Sequence, residues 1–119
     1  MTLLHRDDRL AAFAKPSGLL VHRGWGNDDI VAVELARDAL GTRVYPAHRL
    51  DRATSGVLLF ALDASCAAAL GRAFEAGAVQ KTYVALVRGV APEAGVIDNP
   101  VPKSEDGPRV PAVTAFRRL

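Results

Sequence analysis

Apolar and polar positions alternate along this chain in two rhythms. Arg9 to Ala14, RLAAFA, is a short apolar run closed by Lys15-Pro16-Ser17-Gly18. It predicts a strand and then a turn, since proline fixes φ and glycine allows positive φ. LLVH, residues 19–22, predicts a second short strand, and RGWGN, residues 23–27, a loop. Asn27 or Asp28 can cap a helix running to about Leu40. Its apolar side is Val31, Ala32, Leu35, Ala36 and Ala39, with Glu34, Arg37 and Asp38 opposite. Gly41 stands where such a helix ends. Val44 to Asp51 predicts a strand that Pro46 bends or confines to an edge.

Val57 to Leu62, VLLFAL, shows no alternation. A strand apolar on both faces is covered on both, so it is expected to be central. Asp63 can cap a second helix, Ala64 to Ala76, with Cys66, Ala67, Leu70, Ala73 and Phe74 as its buried stripe and Gly77 at its end. Val79 to Arg88, VQKTYVALVR, alternates well enough for a long strand. Asp98 to Ala112, rich in proline and charge, reads as a long loop. AVTAFRRL opens a further strand.

The chain has 119 residues, half of them hydrophobic and about a quarter charged, which is the balance of one small globular domain or part of a larger one. A net charge of +2 and a pI near 9.0 are compatible with a nucleic-acid partner. The single cysteine, Cys66, allows no intrachain disulfide and fits a reducing compartment, hence a cytoplasmic protein. Met1 to Arg9 is largely polar and lacks the pattern of a signal peptide. The longest apolar run, Val57 to Leu62, is too short to span a bilayer, so no membrane partner is expected. His5, His22 and His48 share no ligand spacing, which predicts no metal site. Neither a phosphate-binding glycine loop nor a G-x-S-x-G nucleophile elbow occurs.

What remains is AHRLDRATSGVLLFA, residues 47–61, which sets Asp51 between Arg49 and Arg52 at the mouth of the apolar strand. In an extended chain Ala47, Arg49 and Asp51 share one face, while His48 and Arg52 take the other. From His48 and Arg52, therefore, structural or backbone contacts are expected. Nearby guanidinium groups favour the ionised carboxylate. An ionised, oriented carboxylate can act as a nucleophile or stabilise a cationic sugar centre. The plainer alternative, which residue chemistry alone favours, is that Asp51 caps a turn or pairs with an arginine.

HRLDRATSGVLLFA resembles the signature H-R-L-D-x-x-T-S-G-x-x-x-x-A of the RluA family of pseudouridine synthases. KPSGLLVHRGW before it, and QKTYVALVRG, DNP and AVTAFRRL after it, agree in order. Within the family the likeness is greatest to the TruC branch, which modifies tRNA. The resemblance implies an α+β fold, a mixed and largely antiparallel sheet with flanking helices. It also implies that residues 1–119 are the N-terminal part of a synthase catalytic domain, without a separate RNA-binding domain. The later family motif G-R-x-H-Q-[IL]-R is absent.

The resemblance assigns roles. The family isomerises uridine in RNA without a cofactor, breaking the C1′–N1 bond and rejoining the sugar to C5. It implies that Asp51 is the catalytic carboxylate and that Arg49 fills the space left by the flipped base. Tyr83, from the K-x-Y motif, is implied to pack against the uracil and is a candidate for proton transfer. Lys15, Arg23, Arg52 and Lys81 are candidate RNA contacts, and Trp25 a candidate for stacking on a base. Each has a plainer counterpart: phosphate binding for Arg49, a sheet tyrosine for Tyr83, turn geometry for KPSG, a loop anchor for Trp25. Two classes of function stay open, an RNA pseudouridine synthase acting on tRNA or rRNA and a non-catalytic RNA-binding module built from part of one. An incomplete sheet with open edges would also self-associate.

Overall fold

The computed structural model describes residues 1–24, 30–104 and 106–119. Asn27, Asp28 and Trp25, read above as helix caps and a stacking residue, lie outside the described residues. The chain divides into two units, Met1–Lys81 and Thr82–Leu119. Helices and antiparallel strands make it α+β, and among the described residues every strand pairing is antiparallel.

The first unit is built on a four-stranded sheet of order β1-β2-β4-β3. β1 is Thr2–Arg6, β2 is Leu10–Lys15, β3 is Tyr45–Pro46 and β4 is Gly56–Ala61. The polar start of the chain gave no sign of β1, which is exposed along its length and pairs β2 with a register shift between Leu3 and His5. Asp7 closes that hairpin, its Oδ1 accepting the N–H groups of Arg9 and Leu10 at 2.8 Å each. Those two bonds hold its carboxyl pKa below the ordinary aspartate value.

β4 takes the central place that its unbroken apolar run predicts. Its register with β2 pairs Phe13 with Leu58 and Ala11 with Phe60, so these four side chains share one face. Phe13 and Phe60 meet edge to face, with ring centroids 5.8 Å apart. Helix α1, Ala32–Leu40, covers that face through Ala32, Ala36 and Leu40. The buried row steps by four residues, so Leu40 packs inward and Ala39 is exposed, contrary to the stripe read from sequence. Ala12 and Ala61 lie buried on the other face, where helix α2, Ala64–Glu75, meets β4. Asp63 caps α2, its Oδ1 accepting Cys66 N–H at 2.7 Å, and Gly77 follows its last turn. Cys66 is buried, but the rest of the predicted stripe is only half-buried, and so is Leu59 across from it.

Three strand expectations fail, each for a hydrogen-bonding reason. LLVH forms no strand because its carbonyls are used elsewhere. Leu20 and Val21 accept the N–H groups of Ala32 and Val33, donors that α1 leaves open in its first turn. The strand over residues 44–51 shrinks to Tyr45–Pro46, since the chain turns away from β4 after Ala47. Residues 79–88 form no strand either: no described residue offers them a ladder, and both faces of the segment are exposed.

In the second unit, β5 (Ala94–Asp98) pairs β8 (Val113–Arg117), and β6 (Val101–Pro102) pairs β7 (Arg109–Val110). The stretch read as a loop over residues 98–112 is therefore the far end of a long two-stranded ribbon. The Phe116 ring covers Gly95, where a Cβ would come within 2.7 Å of it.

Candidate active site

Leu50 is the pivot of the candidate site. It is buried in the core, while Arg49 and Asp51 on either side are exposed. This alternation is the shared face expected of Arg49 and Asp51 in an extended segment. The chain then reverses: Thr54 N–H donates to the Asp51 carbonyl at 3.0 Å, closing a turn over residues 51–54. Gly56, at φ +145°, makes the bend into β4 that a side chain would strain.

The 51–54 turn is bound to the turn after β2. Gly18 N–H donates to the Arg52 carbonyl at 2.7 Å, and Ser17 Oγ to the Ala53 carbonyl at 2.8 Å. Gly18 reaches that contact at φ +91°, so KPSG requires its glycine. Ser17 had no role in the sequence reading. A hydroxyl beside a Pro-Gly turn was the one signal that could have suggested it.

Lys15 completes the junction, and here the structure corrects an expectation. Lys15 was a candidate RNA contact, yet it is 1% exposed. It stands on the inward face of β2, two residues after Phe13, where the strand period points it into the core. Its Nζ donates to the carbonyls of Leu19 at 2.6 Å, Pro16 at 3.0 Å and Arg52 at 3.3 Å. An ammonium held this way has no face left for an RNA phosphate. Burial lowers its pKa from the ordinary lysine value, and the Asp51 carboxylate opposes that shift. Asp51 is therefore close enough to a buried cation to feel its charge.

His48 lies on the opposite side of the segment, as its position in the alternation requires. Its Nε2 accepts Leu59 N–H at 3.2 Å, and its ring stacks on Phe74 of α2 at 5.0 Å. Burial lowers its pKa below the ordinary histidine value; the Arg49 peptide pulls it up, and the Lys81 charge adds to the lowering.

Arg52 is exposed, and its carbonyl is an anchor of the junction. Arg23 pairs with Glu34 at 3.1 Å beside α1. Lys81 is exposed at the end of the first unit. Tyr83, 59% exposed, belongs to the second unit and to no strand. Among the described residues no group of His, Cys, Asp and Glu side chains gathers to hold a metal ion. A shallow depression lined by Asp7, Asp8, Arg9, Leu10, Cys66, Ala69 and Leu70 includes none of the candidates. No helix among the described residues is long and apolar enough to cross a membrane.

Comparison with known proteins agrees with the H-R-L-D signature. The model of the RNA pseudouridylate synthase family matches residues 9–119. The chain is 47% identical to tRNA pseudouridine synthase C of Haemophilus ducreyi over 103 residues, covering 85% of this chain and 42% of that protein. It is 38% identical to tRNA pseudouridine synthase C of Vibrio cholerae, with all of this chain and 54% of that protein covered. Among solved structures, human RNA Pseudouridylate Synthase Domain Containing 4 superposes with a TM-score of 0.63 at 28% identity. That match covers 96% of this chain and 50% of the human one. The chain thus spans about half the length of the relatives it matches, or less. With 111 consecutive residues under the family model and the H-R-L-D segment displayed on a braced turn, the chain belongs to the RNA pseudouridylate synthase family.

Proposed function

We propose that this chain carries the catalytic aspartate, Asp51, of an RNA pseudouridine synthase, and that its substrate is a uridine in tRNA. The observation that carries the reading is the geometry of one loop. An exposed carboxylate stands between two arginines, on a turn pinned from behind by Ser17, Gly18 and a buried lysine. Such pinning fixes the carboxylate before substrate arrives, which is where a positioned group gains most of its effect. The tRNA preference is supported by the relatives named as tRNA synthases.

In the reaction, the C1′–N1 bond of the uridine breaks and the Asp51 carboxylate takes up the electron-poor sugar carbon, as a nucleophile or by removing a sugar proton. The uracil turns, the Asp51–C1′ bond breaks as C1′ bonds to C5 (or, in the other route, Asp51 returns the sugar proton as that bond forms), the C5 hydrogen leaves as a proton, and N1 ends protonated. Atoms and electrons balance without a cofactor. Arg49, exposed two residues away, takes the space of the extruded base, and Tyr83 packs against the uracil. Lys81, Arg52 and Arg23 offer positive charge to phosphates. The free thiol of Cys66 supports work in a reducing cytoplasm. Exposed Val84, Leu86 and Val90 support self-association of residues 1–119 expressed alone.

The test is Asp51→Asn in the full-length protein. It keeps shape and hydrogen bonding capacity but removes the charge. Tritium release from [5-³H]uridine tRNA is expected to vanish, with RNA affinity changed by no more than about threefold, since an exposed side chain on a pinned turn contributes little to the fold. Substantial release by the variant overturns the reading.

A further inference from the structure

The geometry points to His48 as a positioning residue for Asp51, its neutral imidazole standing in for a missing strand carbonyl at the point where the chain leaves the sheet. This rests on the reading of Asp51 given above. The argument begins with the β3–β4 ladder. Tyr45 pairs Ala61 and Pro46 pairs Phe60, so Ala47 comes opposite Leu59. Ala47 N–H does donate to the Leu59 carbonyl, at 2.9 Å. In a regular antiparallel pair the Leu59 N–H would return a bond to the Ala47 carbonyl. Here the His48 ring takes it instead, through Nε2 at 3.2 Å. The side chain replaces the main chain, and the backbone is released to turn toward Arg49 and Asp51.

This substitution fixes the state of the ring. An Nε2 that accepts a proton carries none, so the proton is on Nδ1 and the imidazole is neutral. The ring is held on two sides: by Leu59 of β4, and by Phe74 of α2, stacked at 5.0 Å with an interplanar angle of 23°. Among the described residues, Lys81 is the charged group acting on it. His48 therefore ties the chain three residues before Asp51 to the central strand and to α2. Lys15, Ser17 and Gly18 tie down the residues just after it. Asp51 is bracketed, and the upstream bracket is the one a proton can open. A protonated ring has no lone pair for Leu59.

The experiment uses the full-length protein and three forms: wild type, His48→Phe and His48→Gln. Phe keeps the stack on Phe74 without an acceptor, whereas Gln offers a carbonyl at a similar reach. Single-turnover tritium release from [5-³H]uridine tRNA is measured from pH 5 to 8.5, with RNA affinity measured in parallel. The wild-type rate should fall on the acid side, below about pH 6.5. His48→Phe should be slower by roughly tenfold to a hundredfold at neutral pH, with unchanged affinity and no acid limb. His48→Gln should recover most of the rate and stay flat through the acid range. A His48→Phe enzyme with the wild-type rate and acid limb overturns the proposal, as does a folded His48→Gln enzyme as slow as the Phe variant. A direct reading is the nitrogen–nitrogen coupling across the hydrogen bond between Leu59 and His48 Nε2, observed by NMR at pH 7.5. If the coupling is present but the wild type modifies no RNA, the reading of Asp51 fails while the clamp stands. If the coupling is absent, the clamp fails whatever the activity.

Discussion

Lys15→Met tests whether the buried ammonium holds the junction of the two turns. Methionine nearly matches the lysine stem in length and volume, so the packing change is small. Three charge-assisted bonds disappear, those to Pro16, Leu19 and Arg52. Their acceptors do not suffer equally. The Arg52 carbonyl keeps the Gly18 N–H at 2.7 Å and stays satisfied. Pro16 is exposed, and water can replace the ammonium there. Leu19 is half-buried, and its carbonyl gives up the shortest of the three bonds, at 2.6 Å. A stranded carbonyl costs about 1–3 kcal/mol. Against this, the variant no longer dries an ammonium, a relief of the same order as part of that loss. A net destabilisation of about 1 kcal/mol follows. In urea denaturation of the full-length protein this appears as a lower midpoint at unchanged slope. Under conditions where the variant is folded, single-turnover tritium release should still fall by about tenfold or more, because Asp51 loses both its anchored neighbour and the field of the cation. A variant with the wild-type midpoint and rate would show that the ammonium is incidental to both.

Tyr83→Phe should slow single-turnover release while leaving RNA affinity and stability nearly unchanged, since the ring remains and the side chain is 59% exposed; an unchanged rate would leave the tyrosine a packing role only. Affinity for tRNA should fall steeply with salt, as phosphate contacts by Arg23, Arg52 and Lys81 require, and a binding constant flat from low to physiological salt would exclude that mode. Stability should also decline in acid through His48. Its folded pKa lies below the unfolded value of 6.5, so its contribution is complete above that pH and is lost as the pH falls through the folded pKa. His48→Phe removes this part of the profile, and midpoints measured from pH 8 down to 5 would show it.

What the sequence disclosed was whatever depends on a local pattern. β4 was legible because six apolar residues without alternation admit no other place than the middle of a sheet. α2 was legible from Asp63 at one end and Gly77 at the other. The exposure of Arg49 and Asp51 around a buried Leu50 follows from strand period alone. The failures came where partners decide. LLVH has strand composition, but its carbonyls go to Lys15 and to the first turn of α1. The segment 79–88 has strand alternation, yet a strand exists only where another strand pairs with it. Lys15 was misplaced for a third reason. A lysine in a turn motif reads as surface, and only the register of β2, which puts it on the face of Phe13, shows that it points inward.

That inward lysine bears on why the site uses this residue and no other cation. An ammonium has three N–H donors, and in this structure all three go to carbonyls. None remains for Asp51, which therefore receives the attraction of the charge without a hydrogen bond from it. The difference matters for the role proposed for Asp51, which is to attack or to take a proton. A charge alone leaves the carboxylate free to turn toward substrate, whereas a donated hydrogen bond holds one of its oxygens toward the donor. A guanidinium in the same place would carry five donors in a planar fork, two more than the ammonium has, and a fork pairs with carboxylates in two-point contact. Lys15→Arg should therefore regain stability relative to Lys15→Met, because charge and donors return. It should nevertheless stay well below the wild-type rate, because the spare donors engage Asp51. Stability and rate measured on the same preparations separate the two effects. An Arg variant that recovers both would show that only the charge matters, and that the exclusive use of the lysine donors by the backbone has no part in the chemistry.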